Sequence, residues 1–471
     1  METKILDALV KKHGPVIFRK ENGFSRPTVN ERLFAAWFST LYPTIWSDKT
    51  FWLYDENSGV WKNSSVHDIN NALFEKLTIY QDATSEPKVN RLRIGNQMQI
   101  VRNSLQDLTA NDDAFSGEQA YLYHAKNGMV CLSENGDLEL RNFSPKYKSR
   151  WQSPILYDKT QVPKRFLTDL IGSAMGDDEQ KLLQFYIGQC IRGRNDSQTF
   201  LLLIGTPGGG KSMLVNIVEK LIGRENIGTL RLNSMDGRFE AGRLRGRTLL
   251  TAKDVKPDFL NSSGAPLLKA LTGSDLVEVE LKQSNARPEI LGQFNVIITS
   301  NSVLQIILNS DIEAWRRRII LINYENPPPK EKIMNFDDVL LKEEGSGILN
   351  WGIEGLLQLR QHHWNIPKSP AQQAKIDILL KSADPVTTFV RSFVKPNPNA
   401  SFATKDALLA FHLVCEKLHW GTLTDRQVEL QLKRAMALEH KLNGRNDIIC
   451  NGRKNRGYAG AYIVLPEDYR K

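Results

Sequence analysis

Between positions 205 and 212 the chain reads Gly205, Thr206, Pro207, Gly208, Gly209, Gly210, Lys211 and Ser212, which fits the pattern GxxxxGK[ST]. Each residue type has a task toward a polyphosphate. The glycines leave backbone N–H groups free to wrap phosphate oxygens, Lys211 carries a cation to the β and γ oxygens, and Ser212 offers a hydroxyl to Mg²⁺. A nucleoside triphosphate is the expected ligand.

Such a loop needs an acid on a neighbouring strand, to hold Mg²⁺ or to polarise an attacking water. Asp254, at the end of the run from Arg247, is the candidate. Lys253 precedes it where a second acid would be usual, so metal ligand and water-orienting base both stay open for Asp254, and so does a plain capping role. Asn301 ends the apolar run from Asn295 and is suited to hydrogen-bond a water beside a γ-phosphate. The order loop, acid, amide supports that assignment. Arg316, Arg317 and Arg318 follow; three consecutive arginines cannot all face one way. One of them is expected to serve a neighbouring subunit's γ-phosphate, against the alternative of a solvated face.

Elements must hold these groups together. The unbroken apolar run from Thr199 to Ile204 predicts a strand covered on both faces, and Met213, Leu214, Ile217, Val218, Leu221 and Ile222 predict a helix over 212–221 whose positive dipole end meets the loop. A helix over 179–191 and strands over 247–252 and 294–299 complete an α/β pattern. Upstream, 31–41 predicts a helix, with hairpins over 51–61 and 129–140, the second turning at Asn135 and Gly136. The prolines at 327–329 and the stretch 366–370 read as connectors.

Length and composition set the frame. At 471 residues two or three domains are expected, and 41% apolar with 24% charged residues is ordinary for a water-soluble protein. No stretch is long and apolar enough for a membrane span, no secretory leader is legible at the N-terminus, and the four cysteines have no CxxC pattern. A cytoplasmic setting is expected. The formal net charge of +9 is partly concentrated from Asp384 onward, where 14 Lys/Arg face 9 Asp/Glu.

The stretches Arg238–Asp254, Leu268–Asp275, Val279–Lys282, Asn295–Asn301 and Trp315–Ile319 together resemble the ordered motifs of superfamily 3 helicases. The match is to the helicase part of satellite-phage-type and poxvirus-type primase-helicases. Gly347–Trp351 with Glu354 and Gly355, Asn127–Pro145 and Tyr186–Gly188 are similar to flanking segments of that family. The resemblance implies an AAA+-like ATPase that uses ATP and Mg²⁺, assembles as a ring, usually a hexamer, and moves 3′ to 5′ on single-stranded DNA. Lys211, Ser212, Asp254 and Asn301 would then act in cis, with Arg318 first, Arg317 and Arg316 next, as the arginine acting in trans. Gly273, Ser274 and Asp275 stand for a turn with one more glycine in relatives, and Lys282 matches a basic residue that enters the ring's channel and contacts DNA. Relatives place Glu where Asp254 stands, which predicts slower hydrolysis. Neither the carboxylates nor the length for a primase domain is found, so a helicase without its own primer synthesis is expected.

From Asp384 the patterns give helices over 384–393, 405–418 and 425–439, then a hairpin over 448–465, the order of a winged helix. Arg453, Lys454 and Arg456 lie at its tip, suited to phosphate or minor-groove contact.

The expected fold is therefore α/β: an AAA+-like P-loop ATPase core over 151–375, an α+β N-terminal domain over 1–150 for oligomerisation or DNA binding, and a C-terminal winged-helix-like domain over 376–471. The expected function is a replicative DNA helicase of a phage, plasmid or mobile element. It would work on single-stranded and forked DNA, and on an origin duplex, beside a separate primase or polymerase. An origin-binding initiator with little unwinding activity is the alternative, and an ATPase acting on RNA or protein is a further one.

Overall fold

The computed structural model describes residues 2–18, 28–84, 95–115, 120–232, 241–257, 259–261, 265–279, 289–304, 306, 312–326, 333–418, 420, 423–450 and 452–466. Lys282 lies outside them, as does the whole stretch 233–240. The chain divides into two compact units, Met1–Lys159 and Thr160–Lys471.

In the first unit, helix Glu31–Leu41 is capped by Asn30, whose Oδ1 accepts from Leu33 N at 3.1 Å. Its apolar stripe, Leu33, Phe34, Trp37 and Phe38, packs with Val101 and Leu105 of helix Gly95–Thr109. Two antiparallel three-stranded sheets follow: Thr44–Ser47, Thr50–Asp55 and Val60–Ser64, then Tyr123–Ala125, Gly128–Leu132 and Leu138–Arg141. Both expected hairpins are present, each extended by a strand that the sequence did not signal.

In the second unit, α1 (Asp177–Arg192) leads to β1 (Phe200–Ile204), α2 (Lys211–Ile222), β2 (Ile227–Thr229) and β3 (Leu249–Val255). Then come α3 (Ala265–Thr272), the antiparallel pair β4 (Leu276–Glu278) and β5 (Glu289–Leu291), β6 (Asn295–Ser300), α4 (Ile312–Arg318), β7 (Ile319–Asn323) and α5 (Phe336–Gln361). Strands β2, β3, β6, β1 and β7 form, in that order, one wholly parallel sheet. Parallel strands need cover on both faces, and the sequence supplies it: all six residues of β6 and the first four of β1 and of β7 are buried.

Two close approaches fix helices on this sheet. Tyr186 of α1 is buried, and its hydroxyl donates to Val296 O at 2.7 Å while accepting from Val296 N at 2.9 Å, bolting α1 to β6. Where α1 crosses α5, a Cβ on Gly188 would overlap the backbone of Leu356, and one on Gly355 the carbonyl oxygen of Gln184. Small residues are required there because backbone meets backbone.

The same unit continues through α6 (Pro370–Ala383), α7 (Pro385–Phe393), β8 (Val394–Ala403), α8 (Thr404–Leu418), α9 (Asp425–His440), β9 (Arg445–Cys450) and β10 (Arg453–Ile463). The last three strands form an antiparallel sheet in the order β8, β10, β9, packed on α7, α8 and α9 through Val386, Phe389, Phe411, Val428, Leu432 and Tyr458. Among the described residues no helix is long and apolar enough to cross a membrane. Cys131, Cys190, Cys415 and Cys450 are all free.

Candidate active site

The register of the parallel sheet brings the loop, the acid and the amide to one end. Ile204 is opposite Ser300 and Asn323, and Ser300 is opposite Val255, so the loop after β1, Asn301 after β6 and Asp254 at the end of β3 leave from the same end of the sheet. The amide strand β6 lies between the loop strand and the acid strand.

Within the loop, Gly208 and Gly210 take left-handed backbone (φ 78° and 106°), which a side chain would resist. Gly205 and Gly209 answer a different need. A Cβ on Gly205 would overlap Tyr324 O, and one on Gly209 would come 2.5 Å from Asn326 O. The segment after β7 thus walls the loop: Tyr324 N donates to Ile204 O (2.7 Å), Thr206 Oγ1 donates to Asn326 O (3.1 Å), and the buried Tyr324 hydroxyl donates to Leu170 O (2.7 Å). Sequence reading treated this stretch only as the approach to a connector. Its signal, had it been used, was a tyrosine and a polar pair directly after an apolar strand.

Helix α2 begins at Lys211, so its unpaired N–H groups face the loop. Lys211 is 3% exposed, and its Nζ donates to Gly205 O, Thr206 O and Asn301 Oδ1, each at 2.8 Å. Burial lowers its pKa, and the field of Asp254 opposes that fall. Loop lysine and strand-end amide are thus joined by a hydrogen bond, and the lysine feels the charge of the acid. Ser212, one position into the helix, is half-buried.

Asp254 sits in a break of the β3 register, between Ala252 and Val255, with φ 50° and its N–H donating to Thr299 Oγ1 at 2.9 Å. Asp tolerates the left-handed region better than most residues, and the bulge re-aims a side chain that regular alternation would place elsewhere. Lys253 is turned to the helix: its Nζ reaches Glu219 Oε2 and Asn216 Oδ1, both at 2.7 Å, and Glu219 Oε1 accepts from Thr251 at 2.7 Å. The lysine in the place of a second acid is thus neutralised by α2. Sequence reading missed Glu219, seven residues beyond Ser212 on the helix.

The three arginines part as their spacing requires. Arg316 pairs with Asp377 of α6 (2.7 Å) and with Glu313. Arg317 is exposed. Arg318, the residue put first from sequence, is buried at 6% exposure and donates to Ala314 O at 3.2 Å. A Cβ on Gly273 would lie 3.0 Å from Arg318 Nη2, so the glycine of the Gly273–Asp275 turn leaves room for this guanidinium. Lys368 closes the end of the arginine helix, its Nζ donating to Arg316 O (3.0 Å) and Arg317 O (2.9 Å).

Away from this edge, Arg453, Lys454 and Arg456 are exposed on β10, where Arg456 lies 3.5 Å from Glu429 of α9. The structure does not bring them to the loop.

A family model described as a family of unknown function (DUF5906) matches residues 203–318, less than half of the chain. Among solved structures, the A form apo structure of the NrS-1 C-terminal region is 13% identical with a TM-score of 0.46, covering 91% of this chain and 99% of that one. An A form apo structure of residues 305–718 of that region gives 11% and 0.46, covering 92% and 98%. A further apo structure of the same region gives 13% and 0.43, covering 90% and 98%.

Proposed function

We propose that this chain is an ATP-driven DNA motor of superfamily 3 type, an AAA+-like P-loop ATPase that acts as a ring-forming replicative helicase of a phage, plasmid or mobile element. One observation carries the reading: Lys211 Nζ lies 2.8 Å from Asn301 Oδ1 at the sheet end that also bears Asp254, with the amide strand between loop and acid strands.

The donor set suits the expected groups. One hydroxyl (Ser212) and one carboxylate (Asp254) make an oxygen-only pair, which fits a hard cation that keeps phosphate oxygens and waters as its other ligands. Held there, Mg²⁺ would neutralise charge on the β and γ phosphates. Lys211 would exchange its carbonyl acceptors for phosphate oxygens, the α2 amides would hold the remaining charge, and Asn301, released by Lys211, would orient the attacking water. Arg317 of one copy would reach the γ-phosphate held by the next. Its exposure favours it over Arg318 for a role in trans.

Two features support nucleic acid as the track. The module from α7 to β10 has the element order of a winged helix, with Arg453, Lys454 and Arg456 on its hairpin, and the hairpin β4–β5 leads to the stretch that contains Lys282. Hexamer formation and 3′ to 5′ polarity belong to the same proposal. The test is strand displacement on a 3′-tailed fork. The wild type should unwind with ATP and be stimulated by single-stranded DNA, whereas Lys211→Ala should lose at least 10³-fold in ATP turnover. Origin binding without unwinding would favour the initiator alternative, and equal turnover with DNA, RNA or no polymer would overturn the helicase reading.

A further inference from the structure

The short arginine helix α4 is held on three sides, each time by a different part of the unit. Trp315 is buried at 2%, its ring 6.2 Å from that of Phe200 on β1. Arg318 is buried against the turn at Gly273. Arg316 Nε donates to Asp377 Oδ1 of α6 at 2.7 Å. At ~100° per residue, position 317 lies roughly 160° around the helix from Trp315. Arg317 stands there, exposed, in the one direction that the three holds leave open.

Of the three holds, the one on Arg316 is the least backed by packing. A cleft of about 230 Å³ opens between α4, α6 and α7, lined by Ile312, Arg316, Asp377, Lys381, Thr388 and Arg391. On that side the ion pair, not packing, decides where the guanidinium lies. Glu313 also pairs with Arg316, but three residues away on the same helix it cannot orient α4 against the rest of the unit. Asp377 can, because α6 is itself fixed. Ile376, Leu379 and Leu380 are buried in the core of the parallel sheet, Gln372 Nε2 donates to Asp178 O at 2.9 Å, and Lys375 pairs with Glu179 of α1.

We propose that Asp377 is a positioning residue for the ATP site of the neighbouring copy: acting through Arg316, it sets α4 so that Arg317, and not Arg316, meets the γ-phosphate held there. This role rests on Arg317 acting in trans. Two effects combine. The pair fixes the rotation of a helix of seven residues, and it keeps the charge of Arg316 away from the phosphate that its chain neighbour serves. A guanidinium released from Asp377 competes for the same oxygens and displaces Arg317. The defect of an Asp377 variant therefore falls on the neighbour's nucleotide and not on the loop of the copy that carries it.

The test is steady-state ATP turnover of the full chain, alone and with an excess of Lys211→Ala protein. Asp377→Asn keeps the shape and removes the charge; it should lower kcat about tenfold and leave KM for ATP within about twofold. The side chains of Arg316 and Asp377 are 37% and 40% exposed, so losing their pair should move the melting temperature by no more than about 2 °C. Asp377→Glu should recover most of the turnover, and in Arg316→Gln protein the Asp377→Asn change should have no further effect. The excess of Lys211→Ala chains, idle themselves but with α4 and Asp377 intact, should raise turnover per Asp377→Asn chain at least threefold, on the order of what restoring a trans arginine allows. An unchanged kcat in Asp377→Asn, or a loss that the excess does not relieve although it relieves Arg317→Ala, would overturn the positioning role and leave the shared site standing. An excess that relieves neither would overturn the shared site, and the positioning role with it.

Discussion

Lys211 and Lys368 are built alike and placed differently. Both hold an ammonium on two backbone carbonyls, Lys211 on Gly205 and Thr206 at the start of α2, Lys368 on Arg316 and Arg317 at the end of α4. Burial lowers both pKa values. Lys211 has Asp254 to oppose the fall, whereas Lys368 drops to about 8. The first lysine has a third, side-chain acceptor in Asn301, which under the proposed function it would give up to a phosphate oxygen. The second is committed to the backbone it clamps. One cation joins a loop to a strand-end amide, and the other fixes the end of a helix.

If the arginine helix is fixed so that one guanidinium faces outward, its arginines must separate sharply in function. Arg317→Ala should reduce ATP turnover by roughly 10³-fold, with nucleotide affinity within about twofold of wild type. Mixing it with Lys211→Ala protein should restore part of the turnover, because each mutant supplies what the other lacks. No recovery at any ratio would argue against a shared site. Arg318→Ala should act on stability instead. Removing a buried, hydrogen-bonded side chain should cost about 3 kcal/mol in urea unfolding. If Arg318→Ala kept full stability and lost only turnover, the assignments of Arg317 and Arg318 would exchange.

How far the sequence could foresee this arrangement depended on whether a signal was local. Strands β1, β6 and β7 announce themselves as unbroken apolar runs because both faces of the parallel sheet are covered, and α2 by its period. Strand β8 was hidden. It contains Pro396 and Pro398, and it is tolerated because β8 lies at an edge of its sheet, with its register broken between Pro396 and Ser401. The parallel-sheet module and the three-helix module both lie in the compact unit Thr160–Lys471. Burial of Arg318 depends on the turn at Gly273, 45 residues upstream, and the neutralisation of Lys253 on Glu219, 34 upstream. No local pattern carries such pairings. Gly188 and Gly355 could be read only as similar to a family's segments, and their reason is the contact of two helix backbones.

The smallest effect tests the clamp itself. Lys368 Nζ meets the Arg316 and Arg317 carbonyls of α4, while of the acids at the start of α1 Asp178 accepts from Ser369 at 2.9 Å and Glu179 is paired with Lys375 of α6. With those carboxylates engaged elsewhere, burial decides its protonation. Its folded pKa of about 8 lies below the 10.5 of an unhindered lysine, so between these values the unfolded chain binds a proton that the folded chain does not. Stability must therefore rise with pH across that window, and the cost of the buried charge is fully present below pH 8. Lys368→Met removes the titration. The melting-temperature difference between wild type and Lys368→Met should move in favour of the wild type by a few degrees from pH 7.5 to pH 10. A difference that does not change with pH would mean that Lys368 is solvated as an ordinary lysine, and the contrast with Lys211 would then lie in position alone.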